Sequence, residues 1–145
     1  MRASRVFVTG AVVFGVVTAV WGSSTVHASW DEKRQRFLAL NEAISFARVD
    51  PTDRVMSIDA SGTKYWTGHG GVVLVNDPIE TVEAVARAYD IRWLVLEPTD
   101  TVPAAAAVMA GARPAWLGYP VVETRQFWLF PVCTTPGDDR CETGA

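Results

Sequence analysis

Four carboxylates, Asp59, Asp77, Glu97 and Asp100, follow or close short apolar runs that read as strands. That is where α/β folds place working side chains. Asp59 and Glu97 can face one another across a crevice as an acid/base pair. Plainer readings compete with this chemistry. Asp77 and Asp100 each stand where a helix N-cap is needed, and carboxylates at strand ends are commonly solvated turn residues. The most distinctive string is Tyr65-Trp66-Thr67-Gly68-His69-Gly70-Gly71. Its glycines can bring backbone N–H groups towards an anion, but it opens onto a strand, and phosphate loops open onto a helix. His69 has no Ser, Cys or carboxylate beside it in sequence to suggest a triad. A packed aromatic turn accounts for the string, and sugar stacking on Tyr65 or Trp66 is the sharper alternative. Tyr65, Trp66, His69, Asp59 and Glu97 are therefore the candidate ligand-binding set, and no residue is assigned a catalytic role.

The chain has two cysteines, Cys133 and Cys141. In an oxidising compartment one disulfide would close Thr134–Arg140, a loop whose Pro136-Gly137 can turn back on itself. A metal site would need further ligands, and the histidines, His27 and His69, lie far away in sequence. No metal or cofactor is expected. The spacing is not C-x-x-C, which disfavours a redox pair.

The elements that would position these residues are legible in part. Ser29-Trp30-Asp31-Glu32 has the form of a capping box, followed by Phe37, Leu40, Ile44 and Ala47 at helical spacing. This predicts an amphipathic helix from Trp30 to Ala47, ended before Asp50-Pro51. Arg54–Asp59 reads as a short buried strand, and Asp59-Ala60-Ser61-Gly62 as a turn. Gly71–Val75 is apolar on both faces, as a central parallel strand would be. Asp77 at the N-cap, Pro78 at the first helical position and Glu80 start a helix. Its buried stripe is Ile79, Val82, Val85, Ala86 and Tyr89. Ile91–Glu97 is the next strand and completes a βαβ unit. Val102–Ala110 is an alanine-rich helix closed by Gly111. Ala115–Tyr119 and Val121–Glu123 follow, broken by Pro120. Gln126–Val132 is expected at a sheet edge because Pro131 cannot donate to a ladder, with Thr124-Arg125 turning a hairpin. The fold class is α/β: a small, mostly parallel sheet with an antiparallel C-terminal edge hairpin, preceded by one transmembrane helix.

At 145 residues there is room for one such domain, and the net charge of −3 is spread along the chain. No basic stripe exists to neutralise phosphates, so nucleic acid is not an expected partner. The six tryptophans, of which Trp30, Trp66, Trp93, Trp116 and Trp128 lie in the body, suggest core use. Arg2 and Arg5 precede an uncharged apolar run from Val6, which extends through Val26 to about 20 residues and is long enough to cross a hydrocarbon core. Val26-His27-Ala28 also suits a signal-peptidase cut, which would make the chain secreted. The run exceeds a usual signal core of about 7–15 residues, which favours a retained single-pass anchor, with residues 6–26 in the bilayer. Arg2 and Arg5 argue for a cytoplasmic N-terminus, Lys33, Arg34 and Arg36 against it; the cysteine pair favours an extracytoplasmic body. Residues 1–28 are then the anchor, 29–132 the α/β domain and 133–145 a polar tail.

The order of these strings carries a resemblance. An amphipathic helix before Asp50-Pro51 leads to Asp53-Arg54-Val55-Met56-Ser57, then Lys64-Tyr65-Trp66-Thr67-Gly68-His69. The Gly71–Val75 strand, the Ile79–Tyr89 helix and Asp90-Ile91-Arg92-Trp93-Leu94-Val95-Leu96-Glu97 follow. From Trp30 to about Val122, together with the hydrophobic segment, this resembles the C-terminal soluble region of polytopic membrane glycosyltransferases of the lipid-phosphate-sugar-dependent, mannosyltransferase-like group. In that group a final transmembrane helix leads to a small extracytoplasmic α/β domain. The resemblance implies a non-catalytic domain of, or accessory to, such an enzyme in envelope glycan assembly, with a polytopic membrane core as partner and a glycan as ligand. The group's chemistry belongs to its multi-helix membrane portion, which has acidic residues on an early extracytoplasmic loop. This chain has one membrane segment, so no catalytic residue carries over. A stand-alone membrane-anchored module for a glycan or small ligand is the alternative, and a small hydrolase using Asp59 or Glu97 ranks last.

Overall fold

The computed structural model describes residues 2–99, 102–135 and 137–141. It forms two compact units, one up to Arg36 and one from Phe37, each described by itself. The first helix, α1 (Arg2–Phe46), supplies the whole of the first unit. Phe7, Val8, Val12, Val13, Phe14, Val16, Val17 and Val20 are all exposed along it, and it is long and apolar enough to span a membrane. Two of its hydroxyls are satisfied within the helix: Thr18 Oγ1 donates to Phe14 O (2.9 Å) and Ser24 Oγ to Trp21 O (2.8 Å). Backbone acceptors of this kind are what a hydroxyl needs in lipid. The capping box expected at Ser29 does not form. Ser29 Oγ donates to Val26 O at 2.9 Å inside an unbroken helix. With the preceding turns already helical, the Glu32 N–H has an intrahelical acceptor and needs no cap. Trp30, expected to serve the core, is 67% exposed on this helix.

The second unit begins with the last turns of α1. Phe37, Leu40, Ala43 and Ile44 are buried on one stripe, as their spacing predicts. The helix closes in a Schellman turn: Val49 N–H reaches Ile44 O (3.1 Å) and Arg48 N–H reaches Ser45 O (3.1 Å). Arg48 takes the left-handed position, φ 54°, where glycine is usual.

Strands β1 (Arg54–Ser57), β2 (Gly71–Val73), β3 (Ile91–Leu96), β4 (Val122–Glu123) and β5 (Trp128–Pro131) form one five-stranded mixed sheet in the order β2-β1-β3-β5-β4. β1 pairs in parallel with β2 and β3, while β5 pairs antiparallel with β3 and β4. Side chains alternate between two cores. Met56, Leu94, Leu96 and Phe130 face helices α3 (Ile79–Ala88) and α4 (Pro103–Met109) through Val82, Ala86, Ala105 and Val108. Val55, Trp93, Val95 and Leu129 face the end of α1 and Trp66 of helix α2 (Ala60–Thr67).

Several expectations change here. The supposed turn at Asp59–Gly62 is the start of α2: Asp59 is its N-cap and Gly68, at φ 81°, its C-cap. This helix returns the chain beside β1, so Gly71–Val73 lies at the sheet edge, with Val73 57% exposed, and not next to β3. Gly71 is required there because a Cβ would overlap the Val55 carbonyl. α3 is capped by Pro78 without a side-chain bond, so Asp77 is not the N-cap. Proline takes that place because the helix starts one residue later than expected and its missing N–H is not needed there. Tyr89 lies beyond the helix and is half exposed rather than buried in the stripe. β5 is internal. Pro131 is accommodated because its nitrogen faces the side on which β4 has already ended, where Gly118 N–H donates to Pro131 O at 3.0 Å.

Candidate functional site

The register Val55↔Trp93 and Met56↔Leu94 carries Asp59 and Glu97 to matching places just beyond β1 and β3. From β1 the chain leaves towards β2 on one side and reaches β3 on the other, so this edge is a topological switch point, where ligands of open α/β sheets bind. Asp59 works there as a cap: its Oδ1 accepts from Gly62 N–H (2.8 Å) and Ser61 Oγ (3.0 Å). Glu97 is half-buried at the same edge. Asp100, expected to cap the Val102 helix, lies outside the described residues.

Tyr65, Trp66 and His69 belong elsewhere. Because α2 runs back along β1, its C-terminal end and His69 lie at the opposite edge, by the start of β1, where Gly70 O accepts from Val55 N–H. His69 is buried and its Nδ1 donates to Asp53 O (3.2 Å), which fixes the proton on that nitrogen. Tyr65 is 81% exposed. Its ring meets Trp66 edge-on at 5.4 Å, and Trp66 stacks on Phe37 at 6.3 Å. The five expected residues are thus split between two edges of the sheet.

The sequence reading missed a charged assembly at the His69 edge. Arg92 in β3 pairs with Asp138 (3.0 Å), and Arg140 grips the same carboxylate through Nε (2.8 Å) and Nη2 (2.6 Å). These hydrogen bonds from Arg140 hold the Asp138 carboxyl below the usual range, with Arg92 adding to the effect. The Arg140 guanidinium is raised for the same reason and lies 5.4 Å over the Trp93 ring. Trp93 Nε1 in turn donates to Asp53 Oδ2 at 2.8 Å. Cys133 and Cys141 are joined in a disulfide that ties this segment to the end of β5. One signal in the sequence pointed here: Arg92 interrupts the apolar run of β3, and a guanidinium entering a buried strand demands a partner.

Two hollows flank the tied segment. One, of about 360 Å³, lies by Glu83, Arg87, Trp116, Thr134 and Asp138. The other, of about 460 Å³, is lined by Arg48, Asp50, Asp53, Arg92, Trp93 and Arg140, with Val121 and Pro131 as apolar wall. Asp50 Oδ1 accepts from the Thr52 hydroxyl (2.6 Å) and amide (2.8 Å), which holds its carboxyl below the usual range. Among the described residues no group of three or more His, Cys, Asp or Glu side chains is placed to hold a metal ion. No protein-family model, curated protein or solved structure matches the chain.

Proposed function

We propose that the chain is a membrane-attached extracytoplasmic domain that serves a membrane glycosyltransferase of envelope glycan assembly without itself transferring sugar. The observation that carries this reading is the Tyr65–Trp66 pair: an 81% exposed phenol ring braced edge-on against a tryptophan that is itself stacked on the core. A rigid, exposed aromatic face suits the C–H face of a sugar ring and loses little entropy on binding. The apolar helix, long enough to span a bilayer, supports the membrane setting. Asp59, one of the two acids at the switch-point edge, is occupied in capping α2, which supports an accessory role over acid/base chemistry.

The test is an in-membrane transfer assay with a lipid-linked sugar donor, first with this chain alone and then with a polytopic glycosyltransferase core. No transfer is expected from the chain alone, and stimulation of the core is expected, reduced by Tyr65→Ala. Transfer by the chain alone, abolished by Asp59→Asn or Glu97→Gln, would overturn the proposal in favour of an enzyme. The alternative reading, a stand-alone glycan-binding module, is favoured by the 460 Å³ hollow. It predicts glycan binding with no stimulation of any core.

A further inference from the structure

We propose that the hollow beside Arg48, Asp53 and Trp93 binds an acidic saccharide unit, a hexuronate or similar hydroxy-carboxylate sugar. This rests on the glycan-handling reading above and names its ligand. The volume of about 460 Å³ falls within the range of roughly 300–1,000 Å³ typical of small-molecule sites.

The ligand class follows from which polar groups are already engaged. Asp138 accepts from both Arg92 and Arg140. Asp53 spends Oδ2 on the Trp93 indole, and Asp50 spends Oδ1 on Thr52. Each of these two carboxylates keeps one oxygen without a partner among the described residues. Against them stand the Arg48 guanidinium, whose five donors have no partner among the described residues, and the uncommitted Nη1 of Arg140. The surplus of donors calls for a ligand carboxylate, and the open oxygen of Asp53 calls for at least one ligand hydroxyl. Inorganic phosphate carries part of a second charge near neutral pH, which Asp50 and Asp53 repel. A neutral sugar meets only the second demand.

The site is also held in shape beforehand, which lowers the entropy lost on binding. His69 holds the Asp53 backbone, Asp53 holds Trp93, and the disulfide segment holds Arg140 over the Trp93 ring. Arg48, an exposed residue on the rim of the hollow, occupies a left-handed conformation that favours glycine, so backbone strain is retained at this position.

The experiment uses the full chain in detergent micelles with ¹⁵N-labelled tryptophan, titrated with glucuronate, glucose and inorganic phosphate. Glucuronate should shift the Trp93 indole N–H resonance saturably, and more tightly than either other probe. Arg48→Ala should weaken glucuronate by about tenfold, the loss expected of a charge-assisted contact. Arg48→Gly should weaken it as much while raising Tm, because the backbone strain is relieved; this separates binding from folding. An unchanged Trp93 resonance, equal affinity for glucose, tighter binding of phosphate, or full affinity in both Arg48 variants would each overturn the assignment. If glucuronate fails while Tyr65-dependent stimulation of transfer persists, the hollow is wrong and the accessory role stands. If glucuronate binds and no core is stimulated, the hollow stands and the accessory role falls.

Discussion

Leu94→Ala on β3, set against a companion variant on β2, tests the order of the sheet. Leu94 is 2% exposed in the middle of β3, paired with Met56 on one side and Phe130 on the other. Three buried carbons are removed, at about 0.8 kcal/mol each, or about 2.4 kcal/mol in total. Both strand neighbours are held in hydrogen-bonded ladders, so the site collapses only in part. A residual void of about 50 Å³ at about 24 cal/mol per Å³ adds about 1.2 kcal/mol. The sum, about 3.6 kcal/mol, corresponds to a Tm fall of about 15–20 °C for a unit of this size. The companion variant is Val73→Ala on β2, whose parent side chain is 57% exposed and which should lie within about 0.5 kcal/mol of the parent. The assay is urea unfolding of the full chain in micelles, followed by near-UV dichroism, which reports tryptophan packing and not the apolar helix. A near-zero loss for Leu94→Ala at unchanged m would refute the central place of β3. A loss above about 2 kcal/mol for Val73→Ala would refute the edge position of β2.

Other outcomes follow from single contacts. Gly71→Ala should cost more than about 1 kcal/mol and raise hydrogen exchange across β2, since the new Cβ would overlap the Val55 carbonyl; a neutral result would mean β2 is not docked there. Asp138 has a depressed native pKa, so its stabilising share is full above an unfolded value near 4 and is lost as pH falls through the lower native value. Asp138→Asn should therefore lower Tm at neutral pH and lose less Tm than the parent on acidification to pH 2, and parallel curves would contradict this. Replacing Cys133 and Cys141 by serine should cost about 2–3 kcal/mol, from the short loop they close, measured as a Tm shift in non-reducing buffer. Mass spectrometry of the membrane-bound protein should find residues 6–26 still attached, and a species starting at Ser29 would mean a cleaved signal.

What the sequence disclosed depended on how local the determining contacts are. β3 and the α3 stripe were legible because Ile91–Leu96 is a continuous apolar run and Val82 and Ala86 repeat at helical spacing. α2 was hidden: eight residues bearing Ser, Gly, Thr and two aromatics carry weak helix propensity, and the same Asp59 cap serves a turn equally well. The edge position of β2 followed from missing α2, since its apolar run resembles any buried strand. Pro131 misled because the rule against internal prolines concerns which side its nitrogen faces, and that depends on where β4 ends. The candidate site was least legible. Arg92 and Asp138 meet across 46 residues, and no spacing rule reaches that far.

The wall that Arg140 gives to the larger hollow, held from behind by Asp138, is covalently fastened by Cys133–Cys141, and it is made after every strand of the sheet it leans on. The ribosome must release this segment before the wall can be set, and thiol oxidation must follow. A newly made chain on the reducing side of a membrane would therefore carry its sheet and helices without a finished pocket. If the body lies outside the cytoplasm, as proposed above, completion of the proposed binding surface is a late maturation step, timed by export. The chain would begin to hold ligand only in the compartment where its cysteines can join.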